Sequence, residues 1–252
     1  MTARLTSEIG YSLIELIIVI VIVAIIASVA VKSLRGTNEV VRTEETKVEL
    51  EQLAYAVAGN PTLLSGGART DYGYVGDVGT MPPNLDALVT NPGGYGTWDG
   101  PYVRDDFYVT AGGLSSEFKL DGWGKAYVYS GGNSIVSTGS GCNISRRIAN
   151  ATDDLLYNDL SIAVVDLDND PPGVVFRDSV RIILTHPDGA GGYTSRTANP
   201  DGNGLAVFDS IPIGRHTMQT VYLSTNDTLT RLINIDPGRS SYLQTQLFSD
   251  VW

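Results

Sequence analysis

The strongest constraint on this chain is an apolar segment near its N-terminus, IGYSLIELIIVIVIVAIIASVAV, which covers residues 9–31. From position 16 to position 31 every residue is apolar except Ser28, and this run contains no glycine, proline or charge. A helix needs about 20 such residues to cross the hydrocarbon core of a bilayer. It also satisfies its own backbone hydrogen bonds, which lipid cannot do. Residues 11–31 therefore predict a membrane-spanning helix.

One carboxylate, Glu15, interrupts the apolar segment close to its start. A charged side chain within a membrane helix costs roughly 2.5 kcal/mol or more at the bilayer centre. A simple anchor gains nothing from this cost, so the acid is predicted to have a cationic partner and a function. The alternative is a glutamate near the helix end whose carboxylate reaches the lipid headgroups.

The residues around this glutamate resemble a known signature. Gly10 and the following YSLIEL closely resemble the prepilin signature of type IV pilin-like proteins, Gly followed by Phe-Thr-Leu-Ile-Glu-Leu, with Tyr11 in place of phenylalanine. The resemblance implies cleavage after Gly10 by a membrane prepilin peptidase, N-methylation of Tyr11 and retention of the helix. It also implies a partner for Glu15, the free α-amine of Tyr11 on a neighbouring subunit. The alternative is a secretory leader cut after the apolar run, near Ala30.

The helical pattern continues beyond the apolar segment. Residues 32–58 lack proline, and their apolar positions follow a period near 3.6 with charged residues between them. The sequence Gly59-Asn60-Pro61 then predicts the end of the helix. One helix over residues 11–58 is expected, or two helices separated by a break near Gly36.

Residues 59–159 are predicted to form a small head. Several motifs follow one another there: a short capped helix at 83–89, WDGPYV at 98–103, LDGWGKAYVY at 120–129, and a strand at Ser134–Ser137. This order resembles the head of the major pseudopilin of type II secretion (G-type) over residues 81–139. The chain departs from that pattern at Gly122, Lys125 and Ala126. Trp123 and residues 127–129 are expected to pack in the core of the head.

From residue 160 onwards the sequence predicts short strands separated by turns such as PDG and PDGNG. This spacing is typical of a β-sandwich over residues 160–252. Residues 201–216 resemble carboxypeptidase regulatory-like or transthyretin-like sandwiches. The predicted fold class is therefore α+β. A long N-terminal helix packs on a small β-sheet head, and an all-β sandwich follows.

Two acidic loops are candidate calcium sites. In pseudopilins a C-terminal acidic loop of the head binds calcium, and the resemblance leaves Asp153 and Asp154 as the matching residues here. Calcium takes about six to eight oxygen ligands, so the alternative is a pair of aspartates that caps a turn. A second loop, DLDNDPPG, contains Asp166, Asp168 and Asp170. It lacks the glycine and the distal glutamate of a calcium loop and is predicted to be a solvated turn.

The composition excludes several classes of function. The net charge of −11 argues against nucleic acid as a partner. Cys142 is the only cysteine, so no disulfide can form within the chain. The two histidines, His186 and His216, lie in no catalytic motif. The sequence therefore predicts a protein that is not an enzyme.

The predicted function is that of a structural subunit in a type II secretion pseudopilus-like filament, which is type IV pilin-like. Its expected partners are identical or related subunits, the prepilin peptidase and the inner-membrane secretion platform. The expected location is the bacterial inner membrane, as a single-pass protein with its head in the periplasm. The alternative is a type IV pilin-like surface subunit whose C-terminal sandwich is an adhesive or binding module. A third hypothesis, a receptor on an ordinary anchor, would make Gly10 and Glu15 accidental.

Overall fold

A computed structural model of the chain describes residues 12–104, 109–110, 113–114, 117–248, 250 and 252. The predicted cleavage and methylation positions, Gly10 and Tyr11, lie outside the described residues. The chain divides into two compact units, Met1–Glu45 and Thr46–Trp252.

The first helix, α1, spans Leu13–Ala58 and continues through Gly36, so the alternative of two separate helices is wrong. Within the first unit its side chains are almost all exposed, including the apolar ones between positions 13 and 31. In the second unit most of the apolar side chains of the helix are buried in a hydrophobic core. Leu50, Leu53 and Val57 are at most 1% exposed there. The last part of α1 thus contributes to the hydrophobic core of the head.

The end of α1 is held by backbone geometry and by an arginine. Gly59 has a left-handed φ of 78°, and its N–H donates to the carbonyl of Tyr55. The Arg69 guanidinium donates to the carbonyls of Ala58 and Gly59, which the end of a helix leaves without partners. The predicted helix stop at Gly59 is confirmed.

The head contains short elements around one hydrophobic cluster. Among the described residues, the head also contains three two-stranded sheets, two short helices and two 3-10 helices. In chain order these elements are β1 (Leu64–Ser65), β2 (Ala68–Arg69), α2 (Gly73–Val78), a 3-10 helix (Leu85–Leu88), β3 (Val109–Thr110), β4 (Gly113–Leu114), a 3-10 helix (Glu117–Lys119), β5 (Ser134–Ser137), β6 (Ile144–Arg147) and α3 (Asp153–Leu156).

Two of the head predictions can be checked residue by residue. The capped helix is present as a 3-10 turn, in which the Asn84 side chain accepts a hydrogen bond from the N–H of Ala87. The expectation that Trp123 packs in the core is wrong, because this side chain lies in a turn and is only half-buried. Trp98 packs against the core cluster instead, and its indole N–H donates to the carbonyl of Ala87 over 2.9 Å.

A buried carboxylate organises the turn around Trp123. The Asp121 side chain is 5% exposed and accepts hydrogen bonds from the hydroxyl of Ser137 and the N–H groups of Trp123, Lys125 and Gly139. Burial alone would raise the pKa of this carboxyl group, but the four hydrogen bonds outweigh that effect and lower it. Asp121 therefore ties the turn to strand β5 as an ionised group.

The remaining described strands form two sheets. They are β7 (Asn158–Val165), β8 (Val180–Pro187), β9 (Tyr193–Ala198), β10 (Leu205–Ile211), β11 (Gly214–Tyr222), β12 (Asp227–Ile235) and β13 (Ser241–Gln246). A short helix, α4 (Gly173–Phe176), and a 3-10 turn at Arg177–Ser179 lie between β7 and β8. One sheet has the order β10-β7-β13, with β13 parallel to β7, and the other has the order β12-β11-β8-β9. Buried residues alternate with more exposed ones along β7 and β8. The apolar faces of both sheets contribute to one cluster, which confirms the α+β fold class.

The head and these two sheets belong to the same compact unit. Ile213 precedes β11, yet its side chain belongs to the hydrophobic cluster of the head, and its N–H donates to the carbonyl of Leu155. The N–H of Gly189 similarly donates to the carbonyl of Val78. The predicted boundary at 159/160 falls inside strand β7, which begins at Asn158. That residues 160–252 fold on their own stays a prediction.

Two histidines are buried close to each other in the four-stranded sheet. His186 on β8 and His216 on β11 have ring centroids 5.9 Å apart, and each ring bonds to a proline carbonyl. Burial lowers the pKa of His216 to about 4, against the effect of its hydrogen bond to Pro212. Burial also lowers the pKa of His186, against the effect of its hydrogen bond to Pro187.

Lowering the pH from about 6.5 towards 4 is therefore expected to destabilise the second unit, Thr46–Trp252. The unfolded chain protonates His216 near pH 6.5, whereas the folded chain does so only near pH 4. The contribution of neutral His216 to the free energy of unfolding is thus complete above about pH 6.5. It decreases as the pH falls towards 4, and the loss is about 2 to 3 kcal/mol at pH 4.5. Thermal unfolding between pH 7 and 4.5 measures this loss. His216→Gln, which keeps a donor for Pro212, should flatten the dependence, and an equally steep dependence in the variant would contradict the assignment.

Candidate assembly site on the N-terminal helix

Glu15 lies in the first turn of α1, and its side chain is exposed. Ser12 precedes the helix. Its hydroxyl accepts a hydrogen bond from the N–H of Ile14 over 3.3 Å, and its carbonyl accepts one from the N–H of Leu16 over 3.1 Å. Ser12 is thus the N-cap and Glu15 the third helical residue, the spacing of a capping box. The S-x-x-E pattern could have shown this from the sequence.

The local geometry gives Glu15 two favourable roles. A carboxylate in the first turn interacts well with the positive end of the helix dipole. It also carries a charge that can pair with an external cation. Within the part of the chain that the structure describes, no basic side chain forms an ion pair with Glu15. Its predicted partner, the α-amine of Tyr11 on another subunit, lies outside the described residues.

The surface that surrounds Glu15 is apolar on every side of the helix. Leu13, Ile14, Leu16, Ile17 and Ile18 are each at least 50% exposed, and comparable exposure continues to Val31. By length and composition, α1 is long and apolar enough to cross a membrane. Contiguous apolar surface of this extent is a site of contact with lipid or with other protein chains. The candidate functional site is therefore this apolar surface together with Glu15.

The predicted calcium ligands lie elsewhere, in α3. Asp154 accepts a hydrogen bond from the N–H of Ala151 through its carboxylate, and its carbonyl accepts one from the N–H of Gly238. Across the described ranges, no group of three or more His, Cys, Asp or Glu side chains is arranged to hold a metal ion. The two carboxylates of Asp153 and Asp154 would supply only part of the six to eight oxygen ligands that calcium takes. The Asp154 carboxylate caps a turn, and calcium binding here stays a prediction.

The histidines are not arranged for catalysis. Each described imidazole bonds to a backbone carbonyl, at Pro187 or Pro212, rather than to a nucleophile. Nucleophilic catalysis would need a nucleophile and its base within hydrogen-bonding distance.

Comparison with known proteins identifies a relative by sequence. Over 51 residues the chain is 39% identical to the type II secretion system core protein G of Xanthomonas campestris pv. campestris. The matched stretch covers 20% of this chain and 36% of that protein, so the chain spans about a third of the curated relative it matches. No protein-family model matches the chain. The relative is, by its name, a core protein of a type II secretion system.

Two solved structures share limited similarity with the chain. The Bacillus anthracis TIE protein aligns with 48% of this chain and 24% of its own length, at 11% identity and a TM-score of 0.29. BcpA, the major pilin subunit of Bacillus cereus, aligns with 45% of this chain and 36% of its own length, at 12% identity and a TM-score of 0.26. Such TM-scores carry no argument about the fold. The sequence match therefore provides the main comparison, a partial similarity to a core protein of a type II secretion system.

Proposed function

We propose that this chain is a pilin-like subunit of a filament of the type II secretion pseudopilus class, anchored in the inner membrane before assembly. The observation that carries the proposal is the helix surface described above. Nineteen consecutive helical residues, from position 13 to position 31, are exposed, and Glu15 is the only charged residue among them. At about 1.5 Å per residue they extend over roughly 28 Å, close to the thickness of a hydrocarbon core.

A helix that is apolar on all sides requires an apolar environment along its whole length. Lipid provides that environment for a single subunit, and the apolar helices of other copies provide it in a filament. Glu15 distinguishes these two states, because a carboxylate is costly in lipid and is stabilised when a cation from another chain pairs with it. The apolar surface is satisfied in both states. The pairing of Glu15 is therefore what favours transfer from the membrane to the filament.

The sequence match supports the same assignment, since the matched relative is a core protein of a type II secretion system. On this proposal the prepilin peptidase removes the leader at Gly10, and the secretion platform of the inner membrane adds the subunit to the filament. The second compact unit, Thr46–Trp252, then lies on the periplasmic side. Growth of the filament would move exported proteins towards the outer membrane.

Processing of the N-terminus tests the proposal. We expect the mature protein from native membranes to begin at Tyr11 and to carry one added methyl group on its α-amine. The physical reason is that assembly needs a free amine next to Glu15, and cleavage after Gly10 creates it. Mass spectrometry of the N-terminal peptide measures both changes.

A variant provides the matched control for this measurement. Gly10→Val changes the residue before the cleavage site but leaves the apolar helix intact, so the protein should remain in the membrane with its leader attached. Protein that retains Met1 in the parent chain would contradict the proposal. A mature N-terminus after Ala30 would instead indicate a secretory leader and a chain without this membrane helix.

A further inference from the structure

A buried aspartate lies in the loop that follows β7. Asp166 is 1% exposed. One oxygen of its carboxylate, Oδ1, accepts hydrogen bonds from the N–H groups of Asp168 and Asp170, over 3.1 and 2.9 Å. The other oxygen, Oδ2, is buried and has no hydrogen-bond partner among the described residues. A buried carboxylate oxygen without a partner is costly, so this group needs a donor or a cation.

The loop conformation alone does not explain this feature. Asp188 and Asp201 make the same pair of hydrogen bonds, to the N–H groups two and four residues further along the chain. Both of those aspartates are exposed, so water solvates their second oxygen. Asp166 differs from them in its burial and in the groups that surround it.

Three residues near the C-terminus, Gln246, Asp250 and Trp252, lie against the Asp166 loop. The indole N–H of Trp252 donates to the carbonyl of Asp170 over 2.9 Å, and the side chain of Gln246 donates to the carbonyl of Leu167 over 2.9 Å. The carboxyl group of Asp250 lies within hydrogen-bonding range of the Asp166 carboxyl group, and the carboxylates of Asp168 and Asp170 are near enough for their charges to act on Asp250. Of the described basic residues, none forms an ion pair with any of these four aspartates.

We propose that Asp166, Asp168, Asp170 and Asp250 form a binding site for Ca²⁺. The ion would take the unpartnered Oδ2 of Asp166 and the facing carboxylate of Asp250 as its first two ligands. Asp168 and Asp170 are exposed, and on this proposal their carboxylates turn inwards to complete the site. Binding requires this movement, since no three carboxylates of the described chain already lie in metal-binding geometry. Calcium tolerates a flexible shell of six to eight oxygens, including carbonyls and water, whereas Mg²⁺ demands a strict octahedron.

The loop lacks the glycine that a calcium loop has at its sixth position, and for this reason the sequence predicts a solvated turn. In the structure the chain reverses two residues earlier, at Asn169, which has a left-handed φ of 68°. Asparagine tolerates this conformation better than most residues. The carboxylate that replaces the distal glutamate comes from Asp250, far along the chain, so a local motif could not include it. Residues 167–170 are exposed, as a solvated turn predicts, whereas the burial of Asp166 and its contact with Asp250 were not predicted.

The test uses the full-length protein in detergent, freed of metal with a chelator. Adding millimolar CaCl₂ should raise its melting temperature by several degrees, because an ion bound only to the folded state stabilises it. Tb³⁺ should give luminescence when tryptophan is excited, since Trp252 contacts the loop, and Ca²⁺ should compete for that signal. Unchanged melting temperature in CaCl₂, or no competition by Ca²⁺, would overturn the proposal.

Asparagine variants locate the ion. Asp166→Asn and Asp250→Asn should each weaken Ca²⁺ binding at least tenfold. Without metal, Asp250→Asn should melt at the same temperature as the parent or higher, because it removes repulsion between two carboxylates. Asp201→Asn and the double variant Asp153→Asn/Asp154→Asn should bind Ca²⁺ as the parent does. Binding that survives in Asp250→Asn and is lost in the double variant would place the ion at α3 and refute this site.

Discussion

Replacing Glu15 with leucine is expected to abolish filament assembly while mature protein accumulates in the membrane at least as well as the parent. The substitution removes a charge that costs a few kcal/mol in lipid, so insertion of the single subunit becomes easier. It also removes the group that pairs with the α-amine of Tyr11 on a neighbouring subunit, so subunits lose the contact that draws them together. Yield of sheared filaments, measured at matched membrane levels of mature protein, gives the result.

Two further variants separate charge from helix capping. A capping box accepts glutamine in place of glutamate, so Glu15→Gln keeps the capping geometry after Ser12 and removes only the charge. We expect it to assemble as poorly as Glu15→Leu, whereas Glu15→Asp, which keeps the charge on a shorter side chain, should be intermediate. Assembly of Glu15→Gln at parental yield would assign the residue to capping. Normal assembly of Glu15→Leu would leave the headgroup interpretation in place.

Replacing Gly73 with alanine is expected to destabilise the second unit by more than about 4 kcal/mol, a loss that few single substitutions cause. Gly73 has a left-handed φ of 57°, and a Cβ atom there would lie 2.6 Å from both the carbonyl oxygen of Ala56 and the nitrogen of Gly59. Both contacts are with backbone at the end of α1, which cannot move aside without breaking the core around Val57. Gly59→Ala should be equally severe, since its Cβ would lie 2.2 Å from the carbonyl oxygen of Asp71.

A control distinguishes backbone strain from steric overlap. Gly67 also has a left-handed φ, 82°, but none of the described atoms lies within 4 Å of the point that a Cβ atom would occupy there. Gly67→Ala should therefore cost only the conformational penalty, about 1–2 kcal/mol. Chemical denaturation of the full-length protein in detergent, followed by tryptophan fluorescence, compares the three variants. Equal losses for Gly67→Ala and Gly73→Ala would show that close packing at the end of α1 contributes nothing.

Features that depend on neighbouring residues were predictable from the sequence. The apolar segment required a helix, Gly59 and Pro61 required its end, and alternating apolar residues predicted the later strands. These signals are local, because backbone conformation and the period of apolar side chains are decided within a few residues. Glu15 could be singled out for the same reason, since a lone charge in an apolar run is visible without a structure.

Features that depend on contacts between distant segments could not be predicted. Trp98 rather than Trp123 packs against the head, because only the folded chain brings the carbonyl of Ala87 to its indole. The head and the two sheets belong to one compact unit, in which the N–H of Ile213 donates to the carbonyl of Leu155. The change of composition near residue 159 does not reveal such contacts between the head and the sheets.

The apolar N-terminal helix with its single carboxylate was thus determined by the sequence alone. The burial of Asp166 and its meeting with Asp250 were decided by tertiary structure, because they bring together two carboxylates 84 positions apart in the chain. The interaction of two such charges is governed by their distance in space, and that distance is a property of the packed strands and not of the local sequence.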